Sequence, residues 1–372
     1  MRSARLGFRG TAGFDTPLLL VVMAIVTLGL VNLYSATSVF ADDAQRVRLA
    51  DVYTSQIYWI VVGTMLAILV ASIDYRSFER LAMVAYFGGL VALGLVFVLA
   101  RSIRGASRWI AIGNFNFQPS EFMKIVLILA VARWLHNDPK TEPRTLFDLG
   151  PPILLTLVPV AAVMAQPDLG TSLIYILTAA SMLAMSRIRW SALFTLLGLV
   201  AVIVPTAWNY LLLPYQKDRI TSFLNPEDDK TGAGWHALQS LTAIGNGQFF
   251  GEGFMQGTQN QFQFLPDQYS DFPFSVFCED WGFAGAVVLL GLYAFACIWA
   301  IHVASLAKDR FGAALAVGVG ANLFWHVVLN VGMAVGLLPV VGVTLPLFSY
   351  GGSNVVTMLI GLGLLMNVSM RE

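Results

Sequence analysis

The chain has 372 residues, of which 57% are hydrophobic and 12% charged, and its 22 basic and 22 acidic side chains cancel. A soluble domain carries about twice that charge, so lipid must solvate most of this surface, which makes the chain an integral membrane protein. Zero net charge argues against nucleic acid as a partner, and Cys278 and Cys297 both fall in apolar stretches that suggest neither a disulfide framework nor a CxxC metal site.

A basic start and then an apolar run of about 20 residues, long enough to span a bilayer, open the chain. No small-x-small cleavage site follows cleanly, so this run is expected to stay as the first helix. Apolar runs place ten spanning helices near 17–37, 56–73, 80–100, 119–136, 151–166, 170–186, 190–213, 272–303, 311–335 and 351–369. The expected fold is therefore all-α, a single polytopic membrane domain over 1–372. The fifth and sixth runs are separated only by "AQPDLGTS". In "GLLPVVGVTLPLFSYGGS", Pro339 and Pro346 break what would otherwise be an apolar helix. Irregular backbone at membrane depth is tolerable only against protein or a wet cavity. The one long loop, 214–271, contains "GWHALQSLTAIGNG", whose Trp235, Leu238, Leu241 and Ile244 are three apart, as in a short interfacial helix. The Gly-, Gln- and Asn-rich stretch after it suits a folded, turn-rich loop.

Loop Lys and Arg residues set orientation. They favour both termini in the cytoplasm and 214–271 outside. Two outer basic clusters oppose that rule: "RSIRGASRW", with Arg104 and Arg108, and "YQKDR", with Lys217 and Arg219. Loop solubility or contact with anionic headgroups would explain them, and so would an anion site, since Arg presents paired donors that suit phosphate oxygens.

Ionisable residues within spanning helices point to function by default, and three groups qualify. In "QPSEFMK", Glu121 and Lys124 share a helix face near Gln118 and Ser120, as an ion pair locking two helices or as part of a site. Asp168, in "QPDLGTS", is a turn former or a site carboxylate. "FLPDQYSDFPFSVFCEDWG" places Asp271 at the start of the eighth helix and Glu279 and Asp280 two turns deeper. Asp271 could merely cap that helix, but Glu279 and Asp280 must face protein or water. A carboxylate at the outer boundary can take a proton from a hydroxyl during attack. Arg104, Arg108, Lys217 and Arg219 could hold an anionic leaving group nearby.

Four stretches, "RGASRWIAIGNFNFQPSEFMK", "QPDLGTSL", "GTQNQFQFLPDQYSDFPFSVFCEDWGFAGA" and "LLPVVGVTLPLFSYGGSN", resemble in order the signatures of the shape, elongation, division and sporulation family. The likeness covers nearly the whole chain. Short termini and the "GTQ…FLP" stretch look more like its RodA elongation branch than its division branch. The resemblance implies a ten-helix peptidoglycan glycosyltransferase of the cytoplasmic (inner) membrane. It implies lipid II as substrate and, as partners, a class B penicillin-binding protein with the elongation machinery. The family's essential aspartate falls on Asp271 and its acidic–basic pair on Glu121 and Lys124. The chain departs from the family at Tyr269, where His is common, at Pro273, where an aliphatic is common, and at Asp280, usually Glu. Tyr269 weakens any mechanism that needs an imidazole there.

On this reading Asp271 is general base to the acceptor 4-hydroxyl, which displaces undecaprenyl pyrophosphate with inversion. Arg104 and Arg108, with Lys217, Arg219, Gln118 and Ser120, would hold the leaving group, supported by Glu121, Lys124, Asp168, Glu279 and Asp280. A divalent cation, Mg2+ or Mn2+, could share that task, although no motif demands one. The rival readings are a lipid II flippase and a non-catalytic scaffold for the penicillin-binding protein. No internal repeat of the kind common in transporters is visible.

Overall fold

All ten apolar runs form helices in the computed structural model, which describes residues 15–371 apart from 39–42, 100, 104–105, 113–114, 139, 141, 211, 230–231 and 263; nine lie close to their expected bounds, and the second, expected from 56, starts at Asp43. They are α1 (Thr16–Ser38), α2 (Asp43–Ser72), α3 (Tyr75–Leu99), α4 (Pro119–Asn137), α5 (Gly150–Met164), α6 (Leu169–Ala184), α7 (Trp190–Tyr210), α11 (Pro273–Leu306), α12 (Arg310–Ala334) and α13 (Gly352–Met370). Three more lie in the long loop: α8 (Pro214–Leu224), α9 (Ala233–Asn246) and α10 (Thr258–Gln261). Among the described residues, seven helices are long and apolar enough to cross a membrane: α1, α3, α7, α11, α12, α13 and the Asp51–Ser72 part of α2. Helices α5 and α6 are apolar but shorter. The chain is an all-α, multi-pass membrane protein.

Helices α4, α12 and α13 form the buried centre, with α4 burying Met123, Leu127, Ile128 and Val131. At the other extreme, α7 buries only Ala192, so nearly its whole surface is left to lipid. Polar ties gather at one end of the bundle. There Asp15 accepts from Trp299 Nε1 at 2.8 Å and Ser369 Oγ at 2.7 Å, and Tyr75 Oη donates to Asp309 at 2.8 Å.

One feature departs from the all-α expectation. Three short strands, β1 (Arg101–Ile103), β2 (Ala106–Ile112) and β3 (Phe115–Phe117), form a small antiparallel sheet. Its register pairs Arg101 with Trp109 and Ile110 with Phe117. It carries Arg108, Trp109 and Asn116 to the rim of a cavity described below.

Helix α11 is broken at Gly282, whose φ of 64° and ψ of −165° are not helical and belong to a region only glycine occupies readily. A break in a membrane helix leaves backbone groups unpaired, and these must be satisfied by protein. The loop 247–257 does this by lying flat against the helix. Glu252 and Gly253 N–H donate to the carbonyls of Glu279 and Asp280 at 2.9 and 3.2 Å, and Phe283 and Ala284 N–H donate to the carbonyls of Gln248 and Phe249 at 2.9 and 3.0 Å. Backbone at this range leaves no room for side chains: a Cβ at 282 would sit 2.3 Å from the Gly251 nitrogen. Gly282→Ala is therefore expected to cost about 1–3 kcal/mol, read as a lower thermal midpoint of the purified protein. Gly291→Ala, on the same helix with nothing within 4 Å of its would-be Cβ, should cost nothing.

The Pro-broken stretch 335–351 is non-helical, as expected, and its second half, 343–349, is largely buried. Its carbonyls find side-chain donors: Asn330 Nδ2 reaches Val343 O at 2.7 Å, Tyr293 Oη reaches Pro346 O at 2.6 Å, and Gln56 Nε2 reaches Ser349 O at 3.0 Å. These bonds replace the helical ladder and let irregular backbone stand beside a cavity.

Candidate active site

The long loop, the sheet, the 335–351 stretch and the facing parts of α2, α4, α6, α12 and α13 line a cavity of about 980 Å³. Asp271 lines it. The Asp271 N–H donates to Asp267 O at 3.0 Å, and its carbonyl accepts from Asn330 Nδ2 at 2.9 Å. Main-chain bonds thus fix the residue at the mouth of α11. Its carboxylate lies beside the irregular stretch, with Oδ2 3.6 Å from where a Cβ on Gly342 would be. The capping alternative fails: the N-cap of α11 is Phe272, and no side chain caps that helix.

The pair Glu121 and Lys124 lines the same cavity, both residues buried and 2.7 Å apart. Pro119 starts α4 and Gln118 is its N-cap, which puts residues 121 and 124 in its first turns with their side chains stacked. Asn354 Nδ2 on α13 donates to Glu121 Oε2 at 2.9 Å, and Lys124 Nζ lies 2.9 Å from His326 Nε2 on α12. The network ties the three central helices together. Sequence reasoning missed His326, Asn330 and Asn354 because it weighed carboxylates first. The rule applied to Glu121, that an ionisable residue in an apolar helix needs a reason, would have found His326.

Asp168 caps α6, accepting from Thr171 N–H at 3.2 Å and Thr171 Oγ1 at 3.0 Å, so the turn-former reading holds. It also lines the cavity, 3.8 Å from Arg108 Nη1. The Arg108 guanidinium donates through Nε to Gln166 O at 3.1 Å and through Nη2 to Pro167 O. Arg108 is thereby anchored to the α5–α6 turn, and much of its charge is already answered by Asp168.

The other predicted groups divide. Arg219 and Gln118 line the cavity, whereas Lys217 does not. Arg104 lies outside the described residues. Ser120 is buried beside the site, its carbonyl taking Tyr175 Oη at 2.6 Å and its hydroxyl without a partner among the described residues. Tyr269 packs edge-on against Tyr350, ring centres 6.1 Å apart. Glu279 and Asp280 are buried as required but are not brought to the cavity. Glu279 accepts Gln259 N–H at 2.8 Å and Asn260 N–H at 3.3 Å, and Asp280 accepts Ser35 Oγ at 2.5 Å. Glu279 anchors the long loop to the bundle, and Asp280 ties α11 to α1.

Known proteins resemble this chain over nearly its whole length. The family model FTSW_RODA_SPOVE, described as cell cycle protein, matches residues 15–372. Peptidoglycan glycosyltransferase MrdB of Escherichia coli is 36% identical over 354 residues, 95% of this chain and 93% of that protein. A chain from a structural study of how a peptidoglycan synthase complex coordinates polymerization and crosslinking superposes with a TM-score of 0.81 at 34% identity, covering 96% of this chain and 97% of the other. The crystal structure of the rod shape determining protein RodA of Thermus thermophilus gives 0.69 at 31% identity, covering 96% of each chain. With a match that takes in every described residue, the chain belongs to the FtsW, RodA and SpoVE family of cell cycle proteins.

Proposed function

We propose that this chain is a peptidoglycan glycosyltransferase that polymerises lipid II at the outer face of the cytoplasmic membrane during cell elongation. The observation that carries the reading is the convergence of Asp271 with Lys124, Arg108 and Arg219 on one cavity, in a chain 36% identical to a peptidoglycan glycosyltransferase. The acceptor 4-hydroxyl gives its proton to the Asp271 carboxylate as its oxygen attacks the donor anomeric carbon. The bond from that carbon to the pyrophosphate oxygen breaks, configuration inverts, and undecaprenyl pyrophosphate leaves. Charge grows on the departing pyrophosphate, where fixed cations stabilise it most.

A divalent cation finds no ready cage. Among the described residues no three His, Cys, Asp or Glu side chains converge, and Glu121 and Asp168 each face a cation already. Mg2+ or Mn2+ would arrive with the substrate phosphates, and no step above passes through it.

One observation favours transfer over transport. Deeper than Lys124 and His326, α4 and α12 close on each other: a Cβ on Gly318 would meet Ile128 Cγ2 at 2.5 Å, and Val131 and Leu315 there are fully buried. A flippase needs a polar path through that level. The direct test is polymerisation of lipid II by purified protein with transpeptidation blocked. Translocation of lipid II in vesicles without polymer would overturn the reading.

A class B penicillin-binding protein is the proposed partner, supported by the likeness to a chain of a synthase complex that coordinates polymerization and crosslinking. Both termini are proposed to be cytoplasmic, with 214–271 outside. A cysteine at exposed Asp228 should then label with an impermeant reagent in intact cells, while one at exposed Glu142 should not. Reversed labelling would invert the site.

A further inference from the structure

His326 stands on α12 four residues before Asn330, which is about 6 Å along the helix, and its side chain is buried at 2% exposure. Nδ1 lies 2.7 Å from the Asn322 carbonyl oxygen, which can only accept, so Nδ1 carries the proton. Nε2 lies 2.9 Å from the Lys124 ammonium, which can only donate. The ring is therefore a neutral imidazole with its lone pair turned to Lys124.

Lys124 has three N–H donors. One serves Glu121 at 2.7 Å and one serves His326 at 2.9 Å. With Glu121 alone, one turn away on the same helix, the four-carbon stem could swing about a single bond. A second bond from a different helix fixes the nitrogen, and tetrahedral geometry leaves the third N–H toward the cavity that Lys124 lines.

We propose that His326 is a positioning residue for glycosyl transfer: by accepting one N–H of Lys124 it aims another at the anionic oxygens of the substrate. It acts through Lys124, and the inference rests on the glycosyltransferase reading above for the identity of that anion, a lipid pyrophosphate. Gln can place an amide oxygen near the position of Nε2 and should substitute. Leu fills the space without an acceptor, and Asn has an acceptor but is too short to reach.

The test uses the purified full chain in nanodiscs. Two quantities are measured for the unmodified protein and for His326→Gln, His326→Asn and His326→Leu: binding of undecaprenyl pyrophosphate, and kcat and KM for lipid II polymerisation. The Leu and Asn variants should bind about tenfold or more weakly, as for loss of a hydrogen bond to a charged group, with kcat/KM falling at least as far. The Gln variant should stay within about threefold, less than the loss of one such bond. Gln and Leu variants equally impaired at unchanged thermal stability, or a Leu variant that binds normally, would overturn the proposal. If Leu prevents folding, the Gln and Asn pair decides in the same way. Unmodified protein that binds the lipid but makes no polymer would refute the glycosyltransferase reading, while the binding series still decides the role of His326.

Discussion

Asp271→Asn is expected to lower the polymerisation rate by about 10²- to 10⁴-fold while leaving a folded, membrane-inserted protein that still binds lipid II. The substitution keeps size and shape and removes the charge and with it the proton acceptor. Two of the bonds that place the residue are made by its main chain, to Asp267 O and from Asn330 Nδ2, and Asn preserves both. Since no side chain caps α11, a lost cap cannot account for a lost rate. A transporter would show no polymerisation even unmodified. Robust polymerisation by well-folded Asp271→Asn protein would sink the mechanism. The next carboxylates to test would then be Glu121 and Asp168, which line the cavity. Glu279 and Asp280, also candidates on sequence alone, are committed elsewhere, Glu279 to the long loop and Asp280 to Ser35 on α1.

The division between what could and could not be read from the chain follows from the range of the forces involved. Spanning helices were legible because lipid imposes a length and a composition on each; even α5 and α6, joined by four residues, emerged. The irregular 335–351 stretch was legible because Pro339 and Pro346 each remove a ladder bond within seven residues, although single prolines, Pro159 and Pro205, sit inside α5 and α7. The break in α11 was not. Gly282 looks like any glycine in an apolar helix until Gly247, Gly251 and Gly257 are seen lying against that helix, and that pairing joins segments some 30 residues apart. The sheet left a weak local signal, the alternation of Phe115, Asn116 and Phe117, in strands of three to seven residues.

The site shows the same split. Asp271, Glu121 and Lys124 were found because charge in lipid demands a reason. Their uncharged partners, Asn330 and Asn354, carried no such signal, because an amide in an apolar helix is cheap to overlook and its partners are 59 and 233 residues away. Arg108 was expected as an open anion holder. The structure shows why sequence overstates it: three carbonyl or carboxylate neighbours of the 166–168 turn already share its guanidinium.

Glu121 and Lys124 are expected to fail as a unit. Both side chains are under a tenth exposed, so removing either partner leaves the other charged group without its counterion at low dielectric, a change that costs about 3–5 kcal/mol in comparable buried pairs. Glu121→Gln and Lys124→Met should each lower thermal stability and each lower the polymerisation rate. The double variant removes both charges together, so its stability should recover toward that of the unmodified protein, giving a coupling energy at the upper end of the usual range of about 0.5–3 kcal/mol. The rate should behave differently from the stability. Either single change already takes the Lys124 ammonium out of its fixed position, so the double should lose about what one single loses and not the product of the two. Losses that are fully additive in both stability and rate would show that the 2.7 Å contact carries no energy. A double variant restored in stability but not in rate would show that the pair does more than join helices, because a structural lock is replaced by any neutral pair of similar size, whereas an ammonium aimed into a cavity is not.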